Sequence, residues 1–352
     1  MHRLKNWGCV RVAAVSAVLA LAVLLSGCGL FKASRRISVP QPLTPLVQAE
    51  MPQMFEEINR LGAVKSLNGR VDIQFLDTSY APCGLAEKYR TADGRLVVQR
   101  PGQVYLTVQI PVIGTKVAEM SSTGQRFWAA VYQGSEKYKR FVTGSNAAQY
   151  ERLDGNGANQ SPDCKVSGRA REEAMQRAAV SALSSLRPQH LTDAVLVPPV
   201  SFEDTKHVYE QSETYEEEAD TRPGAQKGGR VVRGYYVLSE LELLTQNRAR
   251  VTRRFWFDRV GTLRLARVQI YNERGQLLTD VVYSNPQPFA EDGRLRLPAQ
   301  IELTRPQEHY SIRIAFQEPG AVKVDQQLDP EIFVLKNGSN LPEVDLDAKK
   351  KP

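Results

Sequence analysis

"SLNGRVDIQFLDT", residues 66–78, sets Leu67, Val71, Ile73 and Phe75 in step against polar Asn68, Arg70, Asp72 and Gln74. Alternation of period two buries one face of a strand and leaves the other in water. Segments of the same character follow: "AEKYRT", "GRLVVQR", "QVYLTVQI", "TKVAEMSS", "RFWAAVYQ" and "EKYKRFVTG". Turn signals at Asp93-Gly94, Pro101-Gly102, Gly114, Thr123-Gly124 and Gly134 separate them, and this spacing predicts an antiparallel meander. The second half repeats the pattern in "YYVLSELELL", "VTRRFWFDR", "LRLARVQIYN", "QLLTDVVYS" and "YSIRIAF".

Two helices interrupt the strands. Thr44-Pro45 reads as an N-cap and first helical position, with Val47, Met51, Met54, Ile58 and Leu61 spaced by three and four up to Gly62. Pro52 should kink or shorten this helix. A second helix is expected from about residue 169 to 186, with Met175, Ala179 and Leu183 on one stripe. Residues 204–229, which hold "YEEEAD" and "RPGAQKGG", read as an acidic, mobile insertion. Residues 337–352 read as a disordered tail.

The amino terminus has a different character. Arg3, Lys5 and Arg11 precede an apolar run from Val12 to Leu25 broken only by Ser16. At 1.5 Å per residue this run spans about 21 Å, short of the about 30 Å of a bilayer core. A positive start, a short apolar core and small residues at its end describe a secretory signal peptide, residues 1–27. The closing Leu25-Ser26-Gly27-Cys28 resembles the bacterial lipobox, which implies cleavage before Cys28 and acylation of that residue. Gly29, rather than Asp, follows the cysteine, which resembles lipoproteins sorted to the outer membrane. Residues 28–43 would then be a flexible tether.

Removal of residues 1–27 takes away three of the seven net positive charges. The remaining balance, in a chain with 42% hydrophobic residues, describes a globular protein and not a nucleic-acid binder. Of the four cysteines, Cys83 and Cys164 remain for pairing. In an oxidising compartment they either form a bridge, adding about 4 kcal/mol in the chain-entropy model, or stay as buried thiols. No CxxC is present, so a bridge would be a staple and not a redox centre. His190, His207 and His309 stand far apart, and no GxSxG, HExxH or P-loop occurs. We therefore expect no catalytic residue, no metal and no cofactor.

A helix, "SLNGRVDIQF", then "RPGQVYLTVQIPVIGTKVAEMSSTGQRFWAAVYQG", an alanine-rich helix, a second set of strands and "DPEIFVL" together resemble the bacterial lipoprotein-localisation superfamily of LolA- and LolB-like carriers. The resemblance covers residues 44–336. It implies a mostly β (α+β) fold: a curved, antiparallel, open β-barrel of about eleven strands, with two or three helices across its mouth. It also implies an outer-membrane, lipid-anchored protein on the periplasmic face. Its cargo would be the acyl chains of a lipoprotein or lipid, and its partner a periplasmic carrier protein. Met51, Met54, Phe55, Met175, Ala179 and Leu183 are the expected cavity lining, because methionines and alanines leave adaptable space; plain core packing is the alternative for each. In LolB-like members an exposed leucine of a Pro-Leu-Gly turn meets the membrane. Pro111-Val112-Ile113-Gly114 matches that turn with one extra residue, making Val112 and Ile113 the candidate membrane-contact loop. Their alternative is to fold back onto the barrel rim. A structural envelope lipoprotein with a filled barrel is the competing function.

Cys28→Ser should abolish lipid attachment, since a hydroxyl replaces the reacting thiol poorly. Metabolic labelling with an alkyne fatty acid checks this: the expected result is an unlabelled precursor, and persistent label contradicts the lipoprotein reading.

Overall fold

The chain divides between Gln41 and Pro42 into two compact units, and every element below belongs to the second. The computed structural model describes residues 39–77, 87–88, 91–133, 136, 139–146, 188–201, 203–245 and 247–348.

The alternating segments form two runs of hairpins. In the first, β1 (Ser66–Asp77), β2 (Ala92–Gln99), β3 (Gln103–Gln109), β4 (Lys116–Thr123), β5 (Arg126–Val131) and β6 (Arg140–Ser145) each pair antiparallel with the next. The second run comprises β7 (His207–Ala219), β8 (Arg230–Thr245), β9 (Arg248–Asp258), β10 (Arg264–Tyr271), β11 (Leu277–Phe289), β12 (Leu295–Arg305) and β13 (Tyr310–Phe316). These also pair antiparallel in sequence. Antiparallel pairing of β13 with β1 joins the two runs. Strand order across the sheet is therefore β7 to β13, then β1 to β6. Among the described residues no pairing links β7 to β6, so the curved sheet stays open.

Register makes one face continuous. Leu238 faces Phe255, Phe255 faces Val268, Val268 faces Val281, Val281 faces Leu303, and Leu303 faces Ile312. All six are buried. The row continues across the junction, where Ile312 faces Phe75, and the Phe75 and Tyr310 rings stack 5.9 Å apart. A single-residue slip anywhere would turn these side chains to water. Gly94 sits within β2 rather than in a turn. A Cβ there would collide with the Thr107 carbonyl and the Ile73 side chain, so its role is close approach.

The curved, open, antiparallel sheet is the expected architecture, with thirteen strands in this order among the described residues where about eleven are expected; other expectations are corrected. The first helix, α1, runs Met51–Gly62 and does not begin at Thr44-Pro45. Pro52 at its second position lacks an N–H that would be free there anyway, while extending the helix backwards would drive the proline ring into the Gln48 carbonyl. The preceding segment is extended instead: Leu46 bridges Val260, and Val47 N–H donates to the Arg259 carbonyl at 2.8 Å. The acidic residues 213–218 are not at a mobile tip. They form an arm of β7, paired along its length with β8. The tail is not wholly disordered either. A further strand, β14 (Glu343–Asp345), pairs parallel with β6, and Leu346 packs with Phe127, Ala129 and Val142. Val344 and Leu346 supply the two-residue spacing that seats it. The expected helix over 169–186 lies outside the described residues.

Candidate functional site

The apolar face of the sheet is covered by α1 and a second helix, α2 (Pro188–Val195). In α1 the stripe Met54, Phe55, Ile58 and Leu61 is buried, at the spacing that places one face against a core. Glu50 N–H donates to Gln53 Oε1 at 2.6 Å, satisfying a backbone donor at the helix start. In α2, Leu191, Ala194 and Val195 turn inward, and Thr192 Oγ1 donates back to the Pro188 carbonyl at 3.0 Å. Phe55 meets Tyr209 of β7 edge to face, with centroids 4.7 Å apart.

Individual hydrogen bonds, not a ladder, tie these helices to the sheet. Arg100, at the end of β2, donates to the Val64 carbonyl at 3.1 Å and the Val197 carbonyl at 2.6 Å, clamping the segments that follow both helices. Tyr283 OH donates to the Ala194 carbonyl at 3.0 Å in a buried setting, and burial pushes that phenol's pKa up. Val200 N–H donates to Asn59 Oδ1 at 2.9 Å. Gly62 lets this segment approach closely, since a Cβ there would sit 3.1 Å from Pro199.

At the N-terminal end of α1, Tyr236 OH donates to Gln48 Oε1 at 2.8 Å. Arg259, only 2% exposed, lies 4.1 Å over the Tyr236 ring and donates to the Val47 carbonyl and to Glu213 Oε2. Its buried charge is thus paired and hydrogen-bonded, as burial requires.

Met54 and Phe55 lie in the core cluster, while Met51 is half-buried at its rim. Beneath the helices, the described residues enclose small voids. One, of about 20 Å³, is bounded by Leu61, Val195, Leu297 and Phe316; another, of about 40 Å³, by Ala194, Phe255, Val281 and Tyr283. Neither approaches the roughly 300–1,000 Å³ of a ligand pocket. Met175, Ala179 and Leu183, together with Cys28, Cys83 and Cys164, lie outside the described residues. Sequence reading missed α2, although Pro188 followed by Leu191, Ala194 and Val195 carries a short helical signature. It also missed the anchors Arg100, Tyr236, Tyr283 and Arg259, which no local pattern distinguishes.

The β3–β4 loop places its apolar residues in water. Val112 and Ile113 are 102% and 73% exposed, and neither folds back onto the rim. Gly114 N–H donates to the Ile110 carbonyl at 3.0 Å and closes the turn. Val112 has a φ of 71°, a conformation that β-branched residues rarely adopt. Behind the loop, Glu119 of β4 accepts from Tyr105 OH at 2.7 Å, Tyr132 OH at 2.6 Å and Lys116 Nζ at 2.7 Å. Burial would raise its pKa, but the donors Lys116, Tyr132 and Tyr105 together outweigh burial and hold it below the usual carboxylate value. The network therefore braces the base of an exposed apolar tip.

Among the described residues no three potential metal ligands cluster, and no helix is long and apolar enough to cross a membrane. Among the described residues His207 Nδ1 lies 2.6 Å from Asp204 Oδ2 at the start of β7.

No family model matches the chain, and no curated protein matches it. Solved structures resemble it over most of its length at low identity. A DUF1329 family protein from Desulfovibrio piger is 11% identical, with a TM-score of 0.38 over 80% of this chain and 95% of its own. A LolA superfamily protein from Nitrosomonas europaea is 11% identical, with a TM-score of 0.36 over 82% and 99%. A domain from Vibrio parahaemolyticus, described as an outer membrane lipoprotein-sorting protein, is 15% identical, with a TM-score of 0.37 over 79% and 95%.

Glu119→Gln should destabilise the chain at neutral pH by about 1–3 kcal/mol, because hydroxyl and ammonium donors lose their charged acceptor. Glu119 has a depressed pKa in the folded chain, so its contribution is complete above the unfolded value of 4.5 and is lost as pH falls through the lower folded value. Denaturant titrations of both proteins should show a stability gap at pH 7 that closes under acid. A constant gap contradicts the assignment.

Proposed function

We propose that this chain is a lipid-anchored, non-enzymatic carrier that takes acyl chains between its helical cover and the apolar face of its open sheet. In this reading Cys28 holds it at the periplasmic face of the outer membrane, and a periplasmic carrier protein delivers a lipoprotein or lipid. One observation carries the proposal. Among the described residues a continuous apolar sheet face is roofed by two helices fastened to it at separate points and not by a backbone ladder; in this reading they lift while the sheet stays paired. Apolar burial contributes about 0.8 kcal/mol per CH₂, so an acyl chain could replace helix contacts once the cover moves. Val112 and Ile113 supply an apolar contact to the bilayer, where burying one such side chain contributes about 2 kcal/mol.

The small voids favour a second reading, a scaffold whose interior is permanently filled. Native mass spectrometry of the exported chain separates the two. Co-purified or exchangeable lipid mass supports the carrier; protein that stays empty when offered lipid supports the scaffold.

Ile113→Glu should leave folding and lipidation intact while reducing cargo delivery into outer-membrane vesicles several-fold. Transfer kinetics and a melting curve check this together. An unchanged rate, or a large loss of stability, contradicts the loop's role.

A further inference from the structure

A cleft of about 810 Å³ lies between the C-terminal end of α1, the outer surface of β8 to β10 and the β11–β12 hairpin. Its volume is within the range of ligand sites. Four of its lining residues, Leu61, Tyr283, Leu297 and Pro298, also bound the 20 Å³ void beneath the helices. The cleft therefore reaches the wall of the apolar interior from outside. Among the described residues two hydrogen bonds tie α1 to the sheet here: Arg60 Nη1 donates to the Arg296 carbonyl on β12 at 3.0 Å, and Leu265 N–H on β10 donates to Glu57 Oε1 at 3.4 Å.

The charge of the cleft is uneven. Six arginines line it against four carboxylates. Asp258 is shared, receiving Arg233 at 2.8 Å and Arg264 at 2.7 Å, and Arg60 is held by Glu57 at 2.8 Å. Arg294 and Arg296, on the hairpin, are exposed and form no ion pair among the described residues; Arg296 donates only to the Pro286 carbonyl, at 3.0 Å. Below them the walls turn aromatic, with Tyr235 and Trp256 edge to face at 5.8 Å and Arg267 over the Trp256 ring at 5.5 Å. A cationic rim above an aromatic wall and an apolar floor matches an amphiphile. An oxyanion pairs with guanidinium forks in a bidentate fashion, but it cannot follow its tail into an apolar interior.

We propose that this cleft is the port by which an amphiphile with an oxyanion headgroup reaches the interior, and that Arg294 and Arg296 hold the headgroup. The inference rests on the carrier reading and adds to it the class of cargo and the side from which it enters. Release of these two contacts lets the end of α1 move from Leu297, and the tail follows the gap while the headgroup stays at the rim.

The test uses the full chain in phosphatidylcholine nanodiscs and two photoactivatable probes, an acyl glycerol phosphate and the matching acyl glycerol without the phosphate. Capture of the phosphate probe should exceed capture of the neutral one by about tenfold, the ratio for a 1.4 kcal/mol difference. An Arg294→Ala/Arg296→Ala variant should lose that preference and keep its capture of the neutral probe. An Arg294→Lys/Arg296→Lys variant, which keeps the charge, should retain most of the preference and guards against misfolding as the cause. Equal capture of both probes, unchanged in the variants, overturns the port while leaving the carrier reading intact. Capture of neither probe overturns both. Free glycerol phosphate competing as well as the acylated probe would make the cleft a site for soluble anions and also overturn the port.

Discussion

A sheet whose apolar face runs unbroken from β8 through β13 onto β1 cannot remain in water uncovered. The row from Leu238 through Phe255, Val268, Val281 and Leu303 to Ile312 is fixed by register. Each such side chain contributes about 1.5–3 kcal/mol when removed from solvent. Everything else in the unit follows from the need to shield that face without closing the sheet. The pairing of β13 with β1 makes the face continuous, and α1 and α2 supply the cover.

The cover is attached to the sheet in a different manner from the strands to one another. Sheet strands share ladders of hydrogen bonds, whereas the helical segments are held at points: Arg100 to Val64 and Val197, Tyr283 to Ala194, Asn59 to Val200. Elements secured by few backbone contacts belong to the low-stability end of a native protein, where local opening occurs. Charge is kept at the boundary of the covered space. Arg259 is neutralised where the chain enters α1, and Glu240, which burial alone would raise, is held below the usual carboxylate pKa by Arg253 and neighbouring donors. Among the described residues the voids bounded by Leu61 and Phe316 and by Ala194 and Phe255 are small, so an occupant entering there has to displace packing.

Much of the fold was readable in the sequence because alternation is a local property. "YSIRIAF" and "QVYLTVQ" became strands almost to the residue. What failed was hidden by composition. The strand "LRLPAQIELTR" is absent from the segments read as strands, although Leu297, Ala299, Ile301 and Leu303 keep the period; Pro298 interrupts it and faces Pro286 across the ladder, so the two missing N–H groups share one rung. The glutamates of β7 suggested a loop because a charged edge strand and a solvated tip have similar compositions. Anchors such as Arg100 and Tyr283 join segments far apart in the chain, and no window of sequence contains both partners. Val112 and Ile113 stood out for the opposite reason: two large apolar residues in a turn are locally anomalous.

Native-state hydrogen exchange resolved by mass spectrometry tests the movable cover most directly. If α1 and α2 form a lid, amides from Phe55 to Leu61 and from Leu191 to Val195 should exchange through a sub-global opening, well before those of β9 to β13. An acyl ligand should then slow the strand amides facing the helices. Exchange of helices and strands together, only on global unfolding, would mean that the helices are fixed core and would contradict the account.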